Sequence, residues 1–195
     1  MSDSDTLQQW MQQLHEVQKR QQANQAMDQE GPLRASTEIG NPSHLVDMAM
    51  KTVGKSGREV MQMMLEGVLH PPRISKTLDF HMVEVGDGLA IFQGTPAIEH
   101  FNPLGTVHGG WFATLLDSAL GCSVHTKLPP GKTYTTSQIN VNIVRAAHVN
   151  TGPLRAIGHV VHMGRQVATS EAKIVGPDGK LYAHATSTCF VFDAR

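Results

Sequence analysis

The residues best suited to catalysis in this 195-residue chain lie between positions 102 and 117. Gly109 and Gly110 follow His108 at the start of a helix predicted over residues 109–126. Glycine lets a ligand approach the backbone closely, and the first N–H groups of a helix lack internal partners and carry a partial positive charge. Such a terminus can stabilise a developing oxyanion, and a thioester carbonyl under attack develops that charge.

The second candidate group is the carboxylate of Asp117, on the same predicted helix. It lies about 12 Å along the helix axis from Gly109, so one carbonyl group cannot contact both. If both act on one substrate they must come from different chains, and two antiparallel helices in a homodimer would bring them together. A solvent-facing carboxylate or a helix–helix hydrogen bond is the alternative interpretation, because an unpaired buried carboxylate is costly.

The elements around this segment predict an α+β fold. Apolar and polar residues alternate strictly over 139–143, as in a strand with one buried face. An antiparallel sheet wrapped around one long helix fits the element order, which lacks repeated βαβ units. Exposed edges of such a sheet favour pairing with another subunit. The predicted strands cover residues 78–86, 88–96, 133–145, 153–163, 165–176 and 180–192.

The chain is predicted to divide into an N-terminal helical arm and linker over 1–56 and a folded domain over 57–195. The arm is predicted from a narrow apolar stripe at helical spacing within residues 5–30. A helix docked on the body or on a second subunit explains the stripe, and a disordered extension or a partner-recruiting coiled coil are alternatives. A short helix is predicted over 57–67. The stripe is formed by Leu7, Trp10, Met11, Leu14 and Val17.

Composition limits the possible partners and compartments. A formal net charge of −1 gives no general attraction to nucleic acid or anionic membranes. The N-terminus has no basic segment followed by an apolar run, and no stretch is long and apolar enough to span a membrane, so a cytoplasmic location is predicted. Cys122 and Cys189 are interpreted as ordinary core thiols.

The sequence contains no recognised motif for a metal site, a serine esterase or nucleotide binding. The eleven histidines form no metal-binding pattern, and no metal site is predicted. His159 and His162 are three residues apart on a predicted strand and are therefore expected to face opposite sides. No G-x-S-x-G elbow is present, nor a Walker or dinucleotide-binding glycine pattern.

The segment N-P-L-G-T-V-H-G-G at 102–110, followed after six residues by Asp117, resembles the signature of the PaaI-like acyl-CoA thioesterases. These hotdog-fold proteins are related to thioesterase superfamily member 2 and to 4-hydroxybenzoyl-CoA thioesterases. The strand T-S-Q-I-N-V-N-I-V-R at 136–145 and the turn His162-Met-Gly-Arg165 also resemble this family. The similarity covers roughly residues 60–193 and implies a hotdog fold with an N-terminal helical extension.

The resemblance implies a catalytic role for each matching residue. Gly109 would donate its N–H to the thioester oxygen, and Asp117 of the partner chain would act as general base or as nucleophile. Asn102 would hold the thioester or the water, or else cap the loop. His108 would steady that loop, or be a plain loop histidine. Thr136 would place a hydroxyl near the carboxylate.

Substrate contacts are implied at two further positions. Gly110 would let the substrate approach the backbone. Arg165 would contact the CoA phosphates, because arginine suits bidentate phosphate binding, or it would form a surface salt bridge. No cofactor is implied, since CoA is part of the substrate.

The function that follows is hydrolysis of an acyl-CoA thioester to a carboxylic acid and free CoA by a homodimer or homotetramer. A hotdog dehydratase is disfavoured because the acid follows His-Gly-Gly at thioesterase spacing. A non-catalytic acyl-CoA sensor or structural module is the main alternative, although binding alone does not require Asp117. The sequence leaves open the acyl group, the choice between base and nucleophile, and the choice between dimer and tetramer.

Overall fold

The computed structural model describes residues 2–30 and 50–194, with side chains described for 2–24 and 50–194. Most of the predicted linker over 31–56 lies outside the described residues, and residues 50–52 are helical. No helix in the described part is both long and apolar enough to cross a membrane. Four helices are described in full: α1 (Asp3–Glu30), α2 (Gly57–Leu65), α3 (Arg73–Thr77) and α4 (Gly109–His125).

Six strands form one antiparallel sheet in the order β1-β2-β4-β5-β6-β3. The predicted strands are confirmed, with ends shifted by at most two residues. This architecture confirms the α+β class, with β1 and β3 at the two edges. The strands are β1 (Phe80–Gly86), β2 (Leu89–Gly94), β3 (Lys132–Ile143), β4 (Leu154–Met163), β5 (Val167–Val175) and β6 (Leu181–Asp193).

Helix α4 lies against one face of the sheet and forms the centre of the core. Its apolar side chains recur at helical spacing, which buries one broad face. Facing residues on β2, β4, β5 and β6 are small or apolar and allow the helix to approach closely. The fully buried side chains of α4 are Phe112, Leu115, Leu116, Ala119, Leu120, Ser123 and Val124.

Register shifts interrupt four of the five strand pairs, and those in β3 and β4 change which side chains face the helix. In β3 the register shifts between Thr136 and Gln138, so Ser137 is the extra residue. In β4 it shifts between Val160 and His162. A bulge reverses the inward and outward alternation beyond it.

Helix α1 docks on the β1 edge of the sheet, which agrees with the docked-arm interpretation. Val17 is buried in the core, and the Gln13 side chain donates to the Val83 carbonyl at 2.8 Å. Leu7 and Met11 are exposed, so the predicted stripe is wrong at these two positions. The docking face is rotated because glutamines bond to the sheet where apolar contacts were expected.

A buried arginine joins α1 to the sheet. The guanidinium of Arg155 lies 4.4 Å from the centre of the Trp10 ring and donates to Gln13 Oε1 at 2.9 Å and Gln93 Oε1 at 2.8 Å. Burial lowers the pKa of Arg155 to about 10, which leaves it charged at neutral pH. The ring face and the amide oxygens stabilise that charge.

We expect Gly158→Ala to destabilise the fold by about 1–3 kcal/mol, because a methyl group there would overlap α4. A Cβ at this position in β4 would lie 2.3 Å from the Ala119 carbonyl oxygen. Gly179→Ala is the control, since its Cβ would meet nothing within 4 Å and it costs only the strain of φ +74°. The loss of stability in each variant is measured from the midpoint of denaturant unfolding. Equal losses would show that the close approach of β4 to α4 is unimportant.

Candidate active site

The centre of the candidate site is the Asp117 carboxylate, which is partly exposed on α4. The Thr136 hydroxyl donates a hydrogen bond to Asp117 Oδ1 at 3.0 Å. This contact connects the central helix to β3 and fixes one carboxylate oxygen, while no hydrogen bond from the described residues reaches the second. The structure therefore brings together two of the predicted site residues.

The orientation of Thr136 depends on the bulge at Ser137. Ile139 and Val141 pack against the core, and simple alternation from them would point Ser137 inward and Thr136 outward. The extra residue reverses this pattern, so Thr136 pairs with buried Cys189 and faces α4. The bulge thus determines which hydroxyl reaches Asp117.

The N-terminus of α4 carries the second feature of the site. Within the described residues, the Gly109 N–H has no hydrogen-bond acceptor. The Gly110 N–H donates to His108 Nδ1 at 2.8 Å, so His108 is the N-cap of the helix. Of the two glycine amides, only that of Gly109 is free within the described part of the chain.

Asn102 holds the loop that leads into α4. Its Oδ1 accepts from the N–H of Leu104 at 2.9 Å and from that of Thr106 at 3.3 Å. Its Nδ2 donates to the Thr106 hydroxyl at 2.8 Å. In the isolated subunit Asn102 therefore occupies the loop-capping position, which was the alternative to substrate contact.

Arg165 lies in the exposed turn between β4 and β5. It forms no ion pair with any described residue. The salt-bridge alternative thus has no partner in the described chain, and the guanidinium is open to solvent.

Tyr134 and Cys122 are buried or partly buried near Asp117. The Tyr134 ring packs over Gly121, where a Cβ would lie 2.7 Å from the phenolic oxygen. Burial and the Asp117 charge raise the pKa of the Cys122 thiol to about 12. Burial also raises the pKa of Tyr134. Sequence reasoning missed Tyr134, although a residue two before Thr136 on a strand shares its face.

We expect the free energy of unfolding to fall as pH rises from about 9 to 12. The neutral Cys122 thiol is favoured in the fold, so its contribution is present below the unfolded pKa and lost as pH approaches the raised pKa of about 12. Denaturant unfolding at several pH values measures this. Cys122→Ala should reduce the slope, and an unchanged slope in that variant would contradict the assignment.

The described residues contain no group of three or more His, Cys, Asp or Glu side chains arranged to hold a metal ion. The expectation that His159 and His162 face opposite sides is wrong. They pair with Glu171 and Thr169, which are two residues apart on β5, so the bulge at Val161 places both histidines on one face.

The chain has recognisable relatives by sequence and by structure. Residues 104–183 match the family described as the thioesterase superfamily. An esterase-like protein of Halobacterium salinarum is 39% identical over 75 residues, which are 37% of this chain and 48% of that relative. The match therefore spans about half of that relative's length.

Solved structures extend the comparison to about two thirds of the chain. A thioesterase-like, phenylacetic acid degradation-related protein of Ralstonia eutropha is 29% identical with a TM-score of 0.61, covering 66% of this chain and 97% of that one. A conserved protein of Pseudomonas aeruginosa is 26% identical with a TM-score of 0.59, covering 63% and 95%. The PaaI protein of E. coli is 19% identical with a TM-score of 0.63, covering 71% and 98%, and shows the shared fold.

These matches define the class as hotdog-fold proteins, which confirms the predicted fold. Residues 104–183 of the chain match the thioesterase superfamily, and the predicted resemblance to PaaI-like thioesterases is confirmed.

Proposed function

We propose that this protein hydrolyses acyl-CoA thioesters to a carboxylic acid and free CoA, at sites shared between two subunits. The observation that carries the proposal is the Asp117 carboxylate held by the Thr136 hydroxyl at 3.0 Å. A carboxylate held at one oxygen is well placed to take a proton from water or to attack a carbonyl carbon with the other. Binding alone would not require this charge.

The shared site follows from the length of α4. Asp117 and Gly109 are about 12 Å apart along the helix axis, so a thioester at Asp117 needs an oxyanion donor from another chain. An antiparallel partner helix supplies its free Gly109 N–H there. Backbone donors at a helix N-terminus stabilise the negative charge that develops on the carbonyl oxygen.

Two chemical routes fit this arrangement. In the first, Asp117 takes a proton from water, the resulting hydroxide attacks the carbonyl carbon, and the C–S bond breaks as CoA leaves as a thiolate. In the second, Asp117 attacks the carbonyl carbon directly, CoA thiolate leaves, and water hydrolyses the mixed anhydride. In both routes the thiolate finally takes a proton, and no cofactor is needed beyond the substrate's own CoA.

The remaining site residues have supporting roles in the proposal. His108 and Asn102 shape the loop that presents Gly109, through the contacts at Gly110 and Thr106. The small Gly110 leaves space for the substrate. The solvent-open guanidinium of Arg165 contacts CoA phosphates, for which its planar donors are suited.

The first test is thiol release from acyl-CoA esters by the purified protein. Hydrolysis of at least one ester supports the proposal. Binding of CoA esters without turnover of any would reject it in favour of the non-catalytic sensor.

A mixing experiment tests whether the site is shared. Asp117→Asn lacks the carboxylate, and Gly109→Pro lacks the amide hydrogen, so each is expected to be inactive alone. After equal mixing with subunit exchange, half of the dimers contain one intact site, and about a quarter of wild-type activity should return. No recovery, despite exchange shown by mass spectrometry of the mixed dimers, would place both groups in one subunit's site.

A further inference from the structure

A cavity of about 700 Å³ lies between the segment 52–75, helix α4 and the start of β3. This volume falls in the upper half of the range of about 300–1,000 Å³ that is usual for pockets holding drug-sized ligands. A two-carbon acyl group would fill only a small part of it. The cavity therefore has the size to take a large apolar group.

The walls of the cavity are mainly aliphatic. Methionine side chains are flexible and polarizable, so they can adapt to chains of different length and shape. The lining also includes two charged side chains, Lys55 and Lys132, which are partly exposed. The apolar wall residues include Val60, Met61, Met64, Leu69 and Phe92.

The cavity is lined by residues that neighbour the candidate active site in the sequence. Ser118, the residue after Asp117, lines it, as do Cys122 on α4 and Tyr134 on β3. Tyr134 and Thr136 are two residues apart in β3 and both precede the bulge, so they lie on the same face of the strand. The Asp117 charge contributes to the raised pKa values of both Cys122 and Tyr134, which agrees with its closeness to this wall.

We infer that the cavity binds the hydrocarbon tail of the substrate, so that the preferred substrates are thioesters of medium- to long-chain aliphatic acids. This inference rests on the proposed function. The carbonyl group would lie at Asp117 and the tail would extend past Ser118 and Cys122 toward α2. The segment 52–75 lies outside the family match at 104–183, so specificity would come from a part of the chain that the family comparison does not cover.

An aliphatic tail fits better than a single aromatic ring. A phenylacetyl or benzoyl group would leave most of the cavity empty, and the facing wall atoms would lose their contacts. A flexible tail can adapt to the space between a helix and a strand, and each added CH₂ removes more apolar surface from water.

The first experiment measures kcat/KM for acetyl-, octanoyl-, dodecanoyl-, palmitoyl-, phenylacetyl- and benzoyl-CoA. We expect kcat/KM to rise about fourfold per added CH₂, the equivalent of ~0.8 kcal/mol, until the tail fills the cavity. A rate independent of chain length, or a preference for phenylacetyl- or benzoyl-CoA, would overturn the inference while leaving the proposed hydrolysis intact.

The second experiment uses a substitution on α2 that makes the cavity narrower. Val60→Phe adds a ring to the wall and should move the optimum to shorter chains, with at least about a tenfold loss for dodecanoyl-CoA. Arg58→Phe is the matched control, because Arg58 is exposed on the same helix and should keep the wild-type profile. An unchanged profile in Val60→Phe, with circular dichroism showing a native fold, would overturn the inference.

A binding measurement separates tail recognition from turnover. Asp117→Asn should still bind dodecanoyl-CoA at least about tenfold more tightly than acetyl-CoA by calorimetry, because the cavity is unchanged. Equal affinities for the two esters would show that the cavity does not bind the tail. If the wild type binds dodecanoyl-CoA tightly but hydrolyses no ester, the proposed function fails and the binding site stands.

Discussion

Asp117→Asn is expected to lower kcat/KM for the best acyl-CoA substrate by at least about 10²-fold, because the amide can neither accept a proton from water nor attack a carbonyl. The substitution keeps the size of the side chain. Asparagine Oδ1 can still accept the Thr136 hydroxyl bond seen at 3.0 Å, so the helix and β3 remain joined. Thiol release under kcat/KM conditions measures the loss.

Two controls accompany Asp117→Asn. Glu171→Gln changes an exposed carboxylate on β5 and should keep wild-type activity, which excludes a general effect of charge. Thermal unfolding should show that Asp117→Asn folds as the wild type does. Full activity in the folded Asp117→Asn protein would show that another group carries the reaction.

Gly109→Pro is expected to lower kcat by about 10²–10³-fold, the usual cost of removing one oxyanion donor. Proline removes the backbone N–H that would stabilise the developing charge. It is tolerated at the first position of a helix, where that N–H lacks an internal partner. His108 already has φ −63° and ψ 140°, which is the conformation required before proline.

Gly109→Ala is the matched variant for this prediction. Alanine and proline both place a Cβ near the tip of Ile143, at 3.2 Å, but alanine keeps the N–H. We expect Gly109→Ala to retain most activity, so the difference between the two variants reports the hydrogen bond. Equal losses of activity in the two variants would show that crowding at Ile143 causes the effect and that the Gly109 N–H has no role in catalysis.

The fold could be predicted closely because its signals are local. The alternation at 139–143 and the helix that begins at Gly109 each depend on neighbours in the sequence. The bulges in β3 and β4 could not be predicted, because an extra residue is fixed by the pairing of β3 with β6 and of β4 with β5. The same limit explains the error at His159 and His162.

The sequence predicted only part of the candidate site, because some of its features depend on contacts between distant segments. The resemblance indicated Asp117 and Thr136, and the structure brings them together. The cap that His108 forms on Gly110 was not expected, since a histidine N-cap is outside the usual preference for Ser, Thr, Asp and Asn. The cavity was missed because its walls come from α2, α4 and β3, which are far apart in the sequence.

The docking of α1 has a consequence for aggregation. In the described sheet, β1 and β3 are the two edges, and α1 covers β1 through the Gln13 contact with the Val83 carbonyl. Growth of a fibril from folded molecules requires two open edges on each copy, and the described part of this chain leaves only β3 open. Pairing of strands between copies can therefore join only two molecules through β3. By covering β1, helix α1 prevents the growth of longer polymers.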